Sequence, residues 1–257
     1  MAVKRRASSS PLSSPPQIKS GKRKLKLKVQ PGPTDEFQQV TLASFVDRFQ
    51  IKGMGSGGEV FYQPDDLIPG VSLAKYVNDI GSDPPPDQPM LKMYGRTFPQ
   101  SRSIAAYSTT SDATLSYSGS NIAMHHPFPP IIDKMRAKLE NDLGVKFNHV
   151  MLNRYDDGSV YIGRHSDNLN NLVIASISLG AERTFIMSPR VPSRAKKGGA
   201  GKDLEEELKG RKNVKWILAN GSLVVMQGRT QEFWKHEIPK EASIKKGRIS
   251  LTFRQLV

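Results

Sequence analysis

Two histidines and an aspartate have the residue types and spacing to bind one metal ion. His165 and Asp167 are separated by one residue, so on an extended segment both side chains point to the same face. His236 lies further along the chain, where a neighbouring strand could return it to the same place. Two imidazoles and one carboxylate leave three positions of an octahedral ion open, which suits an oxo acid and dioxygen on iron(II). Zinc hydrolases use the same ligand types, so the three residues alone leave the metal open.

A basic segment near the end of the sequence supplies a second chemical signal. Arg248 and Arg254 are an even number of residues apart, so on a strand they share one face. A guanidinium group is suited to binding a carboxylate through two hydrogen bonds. At ~3.3 Å per residue the two lie about 20 Å apart along a strand, and must lean over Ser250 and Thr252 to reach one small dicarboxylate. The alternative is a basic edge strand that discourages aggregation.

The absence of cysteine narrows the chemistry further. No disulfide framework, thiolate zinc site or cysteine nucleophile can form, so any metal must rest on His, Asp and Glu. Of the five histidines, the other three have no acidic partner at comparable spacing, namely His125, His126 and His149.

Hydrophobic spacing predicts the elements that must position these residues. Ser72–Ile80 is predicted as a short helix, and Pro129-Pro130 opens a second one that ends at Gly144. From Lys146 onward short strands are predicted, because apolar and polar residues alternate between turn residues. Strands that follow a few helices indicate an α+β, mainly β architecture, as an antiparallel sandwich or a jelly roll. The candidate strands are Lys146–Arg154, Val173–Leu179, Arg183–Met187, Val214–Ala219, Ser222–Gln227 and Arg248–Arg254.

Charge is concentrated at the start of the chain. Residues 1–30 carry nine of the 38 Lys and Arg residues and no acid, within a net charge of +14. Residues 1–34 are also rich in Ser and Pro, so we predict disorder. We expect a disordered basic tail over residues 1–58 and a folded domain over residues 59–257. Such a tail favours a nucleic-acid partner or a nuclear address, and the alternative is a solvated tail without a partner.

Two further features bear on partners and location. No apolar run approaches the ~20 residues that span a bilayer, and the start of the chain is too charged for a secretory signal. We therefore expect a soluble, nuclear and monomeric protein. A long Gly- and Lys-containing insertion between Ser188 and Asn213 interrupts a predicted hairpin, and loops of this length are usually functional or disordered.

Five motifs follow one another along the second half of the sequence, namely Asn153-x-Tyr155-x-x-Gly158, His165-x-Asp167, Ser178-Leu-Gly180, His236 and Arg248-x-Ser-x-x-x-Arg254. In this order they resemble the motifs of the AlkB family of nucleic-acid dealkylating dioxygenases. The sequence looks closest to the eukaryotic branch of that family, which repairs alkylated duplex DNA. The resemblance extends from about Met90 to Val257.

The resemblance implies a double-stranded β-helix supported by N-terminal helices, with His165, Asp167 and His236 as Fe(II) ligands. It also implies 2-oxoglutarate as cofactor and dioxygen as co-substrate. Arg248 and Tyr155 would bind the distal carboxylate, and Asn153 and Arg254 would lie near the carboxylate at the metal. Ser250 and Thr252, on the same strand as these arginines, are also predicted to bind the cofactor, and many members of the family have Asn in place of Ser250.

The implied reaction removes N-methyl groups from bases such as 1-methyladenine and 3-methylcytosine, with release of formaldehyde. A base in a duplex must first be flipped out of the stack. The resemblance places an intercalating, DNA-gripping hairpin at Tyr94-Gly95-Arg96 and a base-stacking ring at Tyr117. The alternatives are the same chemistry on RNA or single-stranded DNA, and a catalytically silent nucleic-acid-binding protein. Candidate phosphate contacts are Arg102, Arg194, Lys196, Lys197 and Lys202.

A peptide before the folded domain suggests a protein partner. Gln39-x-x-Leu42-x-x-Phe45-Val46 resembles a degenerate sliding-clamp-binding box, and the segment after it, up to Lys52, resembles another short clamp-binding motif. Residues 39–52 are therefore predicted to bind a sliding clamp.

Overall fold

The computed structural model describes residues 39–55, 57–80, 90–93, 96–117, 120–168, 171–190, 208 and 210–256. Within these ranges only the backbone is described for residues 77–80, 90–93, 96–98, 116–117 and 120–121. The helices are α1 (Ala43–Phe49), α2 (Leu73–Ile80), α3 (Pro130–Leu143) and α4 (Thr230–Phe233). The strands that precede α3 are β1 (Glu59–Gln63), β2 (Met90–Met93), β3 (Arg96–Pro99), β4 (Ser103–Ser108), β5 (Thr114–Tyr117) and β6 (Ser120–Ala123). Those that follow it are β7 (His149–Tyr155), β8 (Ile162–His165), β9 (Val173–Gly180), β10 (Arg183–Pro189), β11 (Val214–Leu218), β12 (Leu223–Gln227), β13 (Trp234–Ile238) and β14 (Arg248–Arg254).

Two antiparallel sheets form the body of the fold. Among the described residues the larger sheet has six strands in the order β1-β12-β9-β14-β7-β4, and the smaller has four in the order β11-β10-β13-β8. Two separate hairpins, β2–β3 and β5–β6, complete the strand pairing. This arrangement confirms the predicted mainly β, jelly-roll fold.

Successive side chains of β14 point alternately to the two faces of the larger sheet. Ile249, Leu251 and Phe253 belong to a hydrophobic cluster that also contains the buried residues of α3, so this face packs against helices. The intervening residues of β14 point to the other face, where a second cluster fills the space between the sheets. β14 lies between β7 and β9, so the alternative of a basic edge strand is wrong.

The helix predicted after Pro129 forms as expected. α3 begins at Pro130, and Gly144 ends it in the left-handed conformation, with φ of 69°. Its residues Ile132, Met135, Leu139 and Leu143 are buried against the larger sheet. Among the described residues, no helix is long and apolar enough to cross a membrane.

The strands predicted after Lys146 all form within a few residues of their expected bounds, but the sequence reading missed others. β1 and β4 are the two outer strands of the larger sheet, although they precede α3. β8 was missed because it has only four residues and half-exposed or exposed side chains, which hides the alternation. β13, which carries His236, has buried and half-buried residues in alternation but is only five residues long.

The described part of residues 1–58 corrects the predicted domain boundary. Residues 39–55 pack against the larger sheet, where Val40 donates a hydrogen bond from its backbone N–H to Gln227 Oε1 (2.8 Å). The rings of Phe45 and Phe61 lie 5.9 Å apart, and Phe45 is buried. The folded domain therefore begins before Glu59, because apolar residues of α1 complete its core. The clamp-binding peptide stays a prediction, and it would have to leave this core in order to bind.

Candidate active site

Strand pairing brings the two predicted histidine ligands together. β8 and β13 are antiparallel neighbours, and His165 is the register partner of His236, with ring centroids 4.3 Å apart. Asp167 follows two residues after the end of β8, and its Oδ2 lies 4.0 Å from His236 Nε2. One ligand atom from each of the three residues lies within 4.8 Å of the others. The structure therefore assembles the donor set that the sequence predicted.

Hydrogen bonding and packing orient the imidazoles. His165 Nδ1 lies 2.8 Å from the carbonyl oxygen of Gly163, which favours the tautomer that leaves Nε2 free to bind a metal. Phe185 stacks against His236 with ring centroids 5.6 Å apart, which limits the rotation of that imidazole.

The electrostatics of the three residues suit a metal ion. Burial, with the adjacent His165, lowers the pKa of His236 to about 3, and burial also lowers the pKa of His165. Burial alone would raise the pKa of Asp167, but Arg254 and the two histidines lower it to about 2. At neutral pH the site therefore holds two neutral imidazoles and a carboxylate, which is the protonation state that binds a metal.

The inward face of β14 forms one wall of a cavity between the sheets. Arg254 lies at the metal end, where its Nη2 is 3.3 Å from Asp167 Oδ1. Arg248 lies at the other end, with its guanidinium carbon 5.0 Å from the centre of the Tyr155 ring. All six predicted 2-oxoglutarate residues line this cavity together with the three metal-ligand candidates, namely Asn153, Tyr155, Arg248, Ser250, Thr252, Arg254, His165, Asp167 and His236.

Arg248 is a buried cation with hydrogen-bond donors that could bind a carboxylate. The side chain is only 2% exposed, and its Nη2 donates a hydrogen bond to Ser178 Oγ (2.9 Å). Its Nε and Nη1 have no hydrogen-bond partner among the described residues. Burial lowers the pKa of Arg248, which reflects the cost of placing its charge in the interior. The distal carboxylate of 2-oxoglutarate would satisfy these donors, so the residues present fit this group.

Arg102 differs from its prediction as a phosphate contact. It is buried, its Nε donates a hydrogen bond to Asn153 Oδ1 (3.0 Å), and its Nη1 donates one to the backbone oxygen of Tyr161 (3.4 Å). Arg102 therefore holds a predicted cofactor residue, and its charge adds to burial in lowering the pKa of His165. No local spacing predicts this contact, because it joins β7 to the segment just before β4.

The other predicted DNA contacts are only partly described. The hairpin at the predicted intercalating position is present as β2–β3, but Tyr94 and Gly95 lie outside the described residues. Arg96 and Tyr117 lie in β3 and β5, with only their backbone described. The insertion residues Arg194, Lys196, Lys197 and Lys202 also lie outside the described residues.

Sequence reading also missed residues that support the site. Ser176 on β9 lines the cavity, and its Oγ is 3.2 Å from Thr252 Oγ1. The even spacing of Ser176 and Ser178 along a strand could have indicated a shared inward face. Gln231 hydrogen-bonds to the backbone of Asp167, and no spacing in the sequence could have revealed that contact.

Comparison with known proteins identifies the class. The model of the 2OG-Fe(II) oxygenase superfamily matches residues 66–254. The DNA oxidative demethylase ALKBH2 of Arabidopsis thaliana is 29% identical over 212 residues, which cover 78% of this chain and 67% of that protein. ALKBH2 of Homo sapiens is 31% identical over 172 residues, 65% of this chain and 61% of that protein. The alpha-ketoglutarate-dependent dioxygenase alkB homolog 3 of Rattus norvegicus is 34% identical over 165 residues, 62% of this chain and 51% of that protein.

The chain belongs to the 2OG-Fe(II) oxygenase superfamily, because the match covers most of its length and includes every predicted metal and 2-oxoglutarate residue. Its relatives confirm the more specific resemblance to the AlkB family and its eukaryotic branch. Fe(II), 2-oxoglutarate and dioxygen, which the sequence predicted, are the cofactors and co-substrate of this superfamily. The chain spans between about half and two thirds of the length of these relatives.

Proposed function

We propose that this protein oxidatively removes N-methyl groups from alkylated bases in DNA. The observation that carries the proposal is one cavity with the metal-ligand candidates at one end and the incompletely paired Arg248 at the other. A cavity with a metal site at one end and a guanidinium group at the other suits a small dicarboxylate that both can bind. Relatives named as DNA oxidative demethylases support the choice of substrate.

The atoms and electrons of the proposed reaction are accounted for by dioxygen and 2-oxoglutarate. Bound Fe(II) supplies the coupling of dioxygen reduction to the oxidative decarboxylation of 2-oxoglutarate. One oxygen atom ends in succinate, with loss of carbon dioxide, and the other replaces a C–H bond of the N-methyl group by C–OH. The resulting hemiaminal breaks its C–N bond, which restores the base and releases formaldehyde.

The residues of this chain would bind and orient the reactants. Arg248, with Tyr155 beside it, would hold the distal carboxylate of 2-oxoglutarate. Arg254 is close to Asp167, where it keeps that carboxylate ionised, and it would contact the carboxylate of 2-oxoglutarate nearer the metal. Asn153, held by Arg102, would add a polar contact at the same end.

For the substrate we propose 1-methyladenine and 3-methylcytosine in double-stranded DNA. A flipped base would reach the metal on the exposed side of β8, with Tyr94 and Tyr117 as the proposed wedge and stacking ring. The basic residues of the insertion would add contacts to phosphates without sequence preference. A nuclear location and a monomeric state belong to the same proposal.

Formaldehyde release from matched methylated oligonucleotides tests the substrate. Duplex DNA, single-stranded DNA and RNA of the same sequence should be compared at equal concentration and salt. We expect the highest kcat/KM on the duplex. Faster release from RNA or single-stranded DNA would favour that alternative substrate. No release from any of them, together with retained binding, would favour a silent binding protein and contradict the proposal.

A further inference from the structure

The backbone of Asp167 is held by a buried side chain outside the ligand set. Asp167 donates a hydrogen bond from its N–H to Gln231 Oε1 (2.8 Å). Gln231 is 5% exposed, and its Nε2 packs at 3.5 Å from Met226 Sδ. A hydrogen bond of this length between buried groups fixes the peptide that carries the carboxylate.

The residue between the two ligands is held as well. Ser166 Oγ donates a hydrogen bond to the backbone oxygen of Trp234 (2.9 Å) and accepts one from Arg190 Nη1 (2.8 Å). Arg190 Nη1 also donates to the backbone oxygen of Gln231 (3.2 Å). Arg190, Gln231 and Ser166 therefore form one connected group around the His165–Asp167 segment.

This group takes the place of a strand partner. β8 ends at His165, so Asp167 has no β-ladder hydrogen bonds to fix its position. Gln231 lies in α4, immediately before β13, and β13 carries His236. One short stretch of chain therefore supplies one metal-ligand candidate and holds the backbone of another.

We propose that Gln231 is a positioning residue that sets the metal affinity of the site by fixing Asp167, and that Ser166 and Arg190 complete its hold. The proposal rests on the metal site of the proposed function and is independent of the substrate. Side chains that orient metal ligands typically change metal affinity 10–100-fold when they are removed.

Gln227 provides a matched control for Gln231. It is 6% exposed, and its Oε1 accepts a hydrogen bond from a backbone N–H at the same distance of 2.8 Å, but the donor is Val40. Gln227 Nε2 also donates to the backbone oxygen of Val40 (3.2 Å) and to Glu59 Oε2 (3.3 Å). Gln227→Met therefore removes more buried hydrogen bonds than Gln231→Met, and none of them touches the metal segment.

The test is equilibrium binding of Co(II) to the full chain, followed by its visible absorption, together with the Tm of each apoprotein. We expect Gln231→Met to bind Co(II) at least about 10-fold more weakly, while Gln227→Met stays within about twofold of the wild type. Equal affinity in all three proteins, or an equal loss in both variants, would overturn the proposal.

Ser166→Ala keeps the proposal testable if Gln231→Met does not fold, because it removes only the hydroxyl that joins Arg190 to Trp234. We expect weaker Co(II) binding with little change in Tm, and unchanged binding would contradict the proposal. Both readouts use metal alone. If the wild type binds Co(II) but releases no formaldehyde, the substrate assignment fails without affecting the role of Gln231.

Discussion

At the scale of single residues, two buried arginines of this protein have opposite roles. Arg183 is 1% exposed and well paired, because its Nε donates to Glu241 Oε2 (2.9 Å) and its Nη2 donates to two backbone oxygens. Arg248 is 2% exposed, yet two of its nitrogens lack a partner in the described structure. Removing a paired buried guanidinium leaves its partners unpaired in the interior, whereas removing an incompletely paired one also removes the cost of burying its charge.

Replacing each arginine by methionine should separate these roles. Arg183→Met should destabilise the protein by about 1–3 kcal/mol or more, because the backbone oxygens of Val160 and Pro239 lose this buried donor. Arg248→Met should leave the free energy of unfolding of the apoprotein unchanged or raise it, and should raise the KM for 2-oxoglutarate at least about 10-fold. Urea denaturation and steady-state kinetics would measure both. A normal KM in Arg248→Met would exclude it as the carboxylate anchor.

His149 should make the stability of the apoprotein depend on pH. It is buried, and burial followed by the charge of Arg254 lowers its pKa to about 3. Above pH ~6.5 the imidazole is neutral in both states. Below that pH the unfolded chain gains the proton first, so the free energy of unfolding falls, by up to about 1.4 kcal/mol per pH unit, until the folded pKa is reached.

His149→Leu should therefore flatten the loss of stability between pH 6.5 and pH 4. His165 and His236 also have lowered pKa values, so part of the slope should remain. Urea denaturation of the apoprotein at several pH values would measure it. An unchanged slope would show that His149 does not titrate in this way.

The candidate ligand residues could be predicted from the sequence, but the residues that hold them in place through hydrogen bonds could not. His165, Asp167 and Arg248 stand in short motifs, so their shared faces follow from strand geometry. Arg102 and Gln231 act through partners far away in the sequence, Asn153 and Asp167, and no local spacing reports such contacts.

At the scale of elements, a glycine fixes the turn that follows β7. A Cβ at Gly158 would lie 1.9 Å from the backbone oxygen of Glu241. The approach is close because the Gly158 N–H donates to the backbone oxygen of Ile244 (2.9 Å) and the Gly158 oxygen accepts from the N–H of Glu241 (2.8 Å). This turn connects the strand of Asn153 and Tyr155 to the segment that leads to Arg248.

Gly158→Ala should therefore destabilise the fold, by about 1–3 kcal/mol or more, because the backbone must move apart. Gly163→Ala is the control, since a Cβ at Gly163 has no atom within 4 Å. Thermal unfolding of the two variants should show a lower Tm only for Gly158→Ala. A similar Tm for both would contradict the role of this contact.

Helix α1 should contribute to stability as part of the core. Phe45→Ala removes a buried ring and should cost about 3–5 kcal/mol, whereas Leu42→Ala, at a side chain that is 42% exposed, should cost far less. Urea denaturation would compare them. An equally small loss of stability in both variants would show that α1 is not part of the folded core. Because of this packing, a Phe45→Ala chain is a poor control for clamp binding, since the substitution disturbs the fold itself.

Elements were predictable where hydrophobic spacing was strong. α3 and β14 formed within a residue of their expected bounds, because each has a regular apolar face. α1 was missed because its seven residues are too few to show helical periodicity clearly. β8 was missed because it is short and partly exposed.

At the scale of the whole molecule, the site exists only when both sheets have packed. The cavity is lined by residues from all strands between β7 and β14, which belong to the two sheets. The metal-ligand candidates lie on β8, just after it and on β13 in the smaller sheet, whereas Arg248 lies on β14 of the larger sheet. Metal and 2-oxoglutarate should therefore stabilise the fold as a whole, as ligands that bind only the native state.

To test this stabilisation, the Tm of the wild type is measured with Mn(II), with 2-oxoglutarate and with both together. Both together should raise the Tm more than either alone, because 2-oxoglutarate would be held by Arg248 and by the metal at once. Asp167→Ala should abolish the shift caused by the metal. A shift that persists in this variant would place the metal elsewhere.

We propose that His165, Asp167 and His236 hold the iron that takes part in oxidising a methylated base. Formaldehyde release from a duplex that contains 1-methyladenine, with Fe(II), 2-oxoglutarate and dioxygen supplied, measures that role. The wild type should release one formaldehyde for each base repaired, and His165→Ala should release none while it retains its fold. Release by folded His165→Ala at the wild-type rate would contradict the assignment of the site.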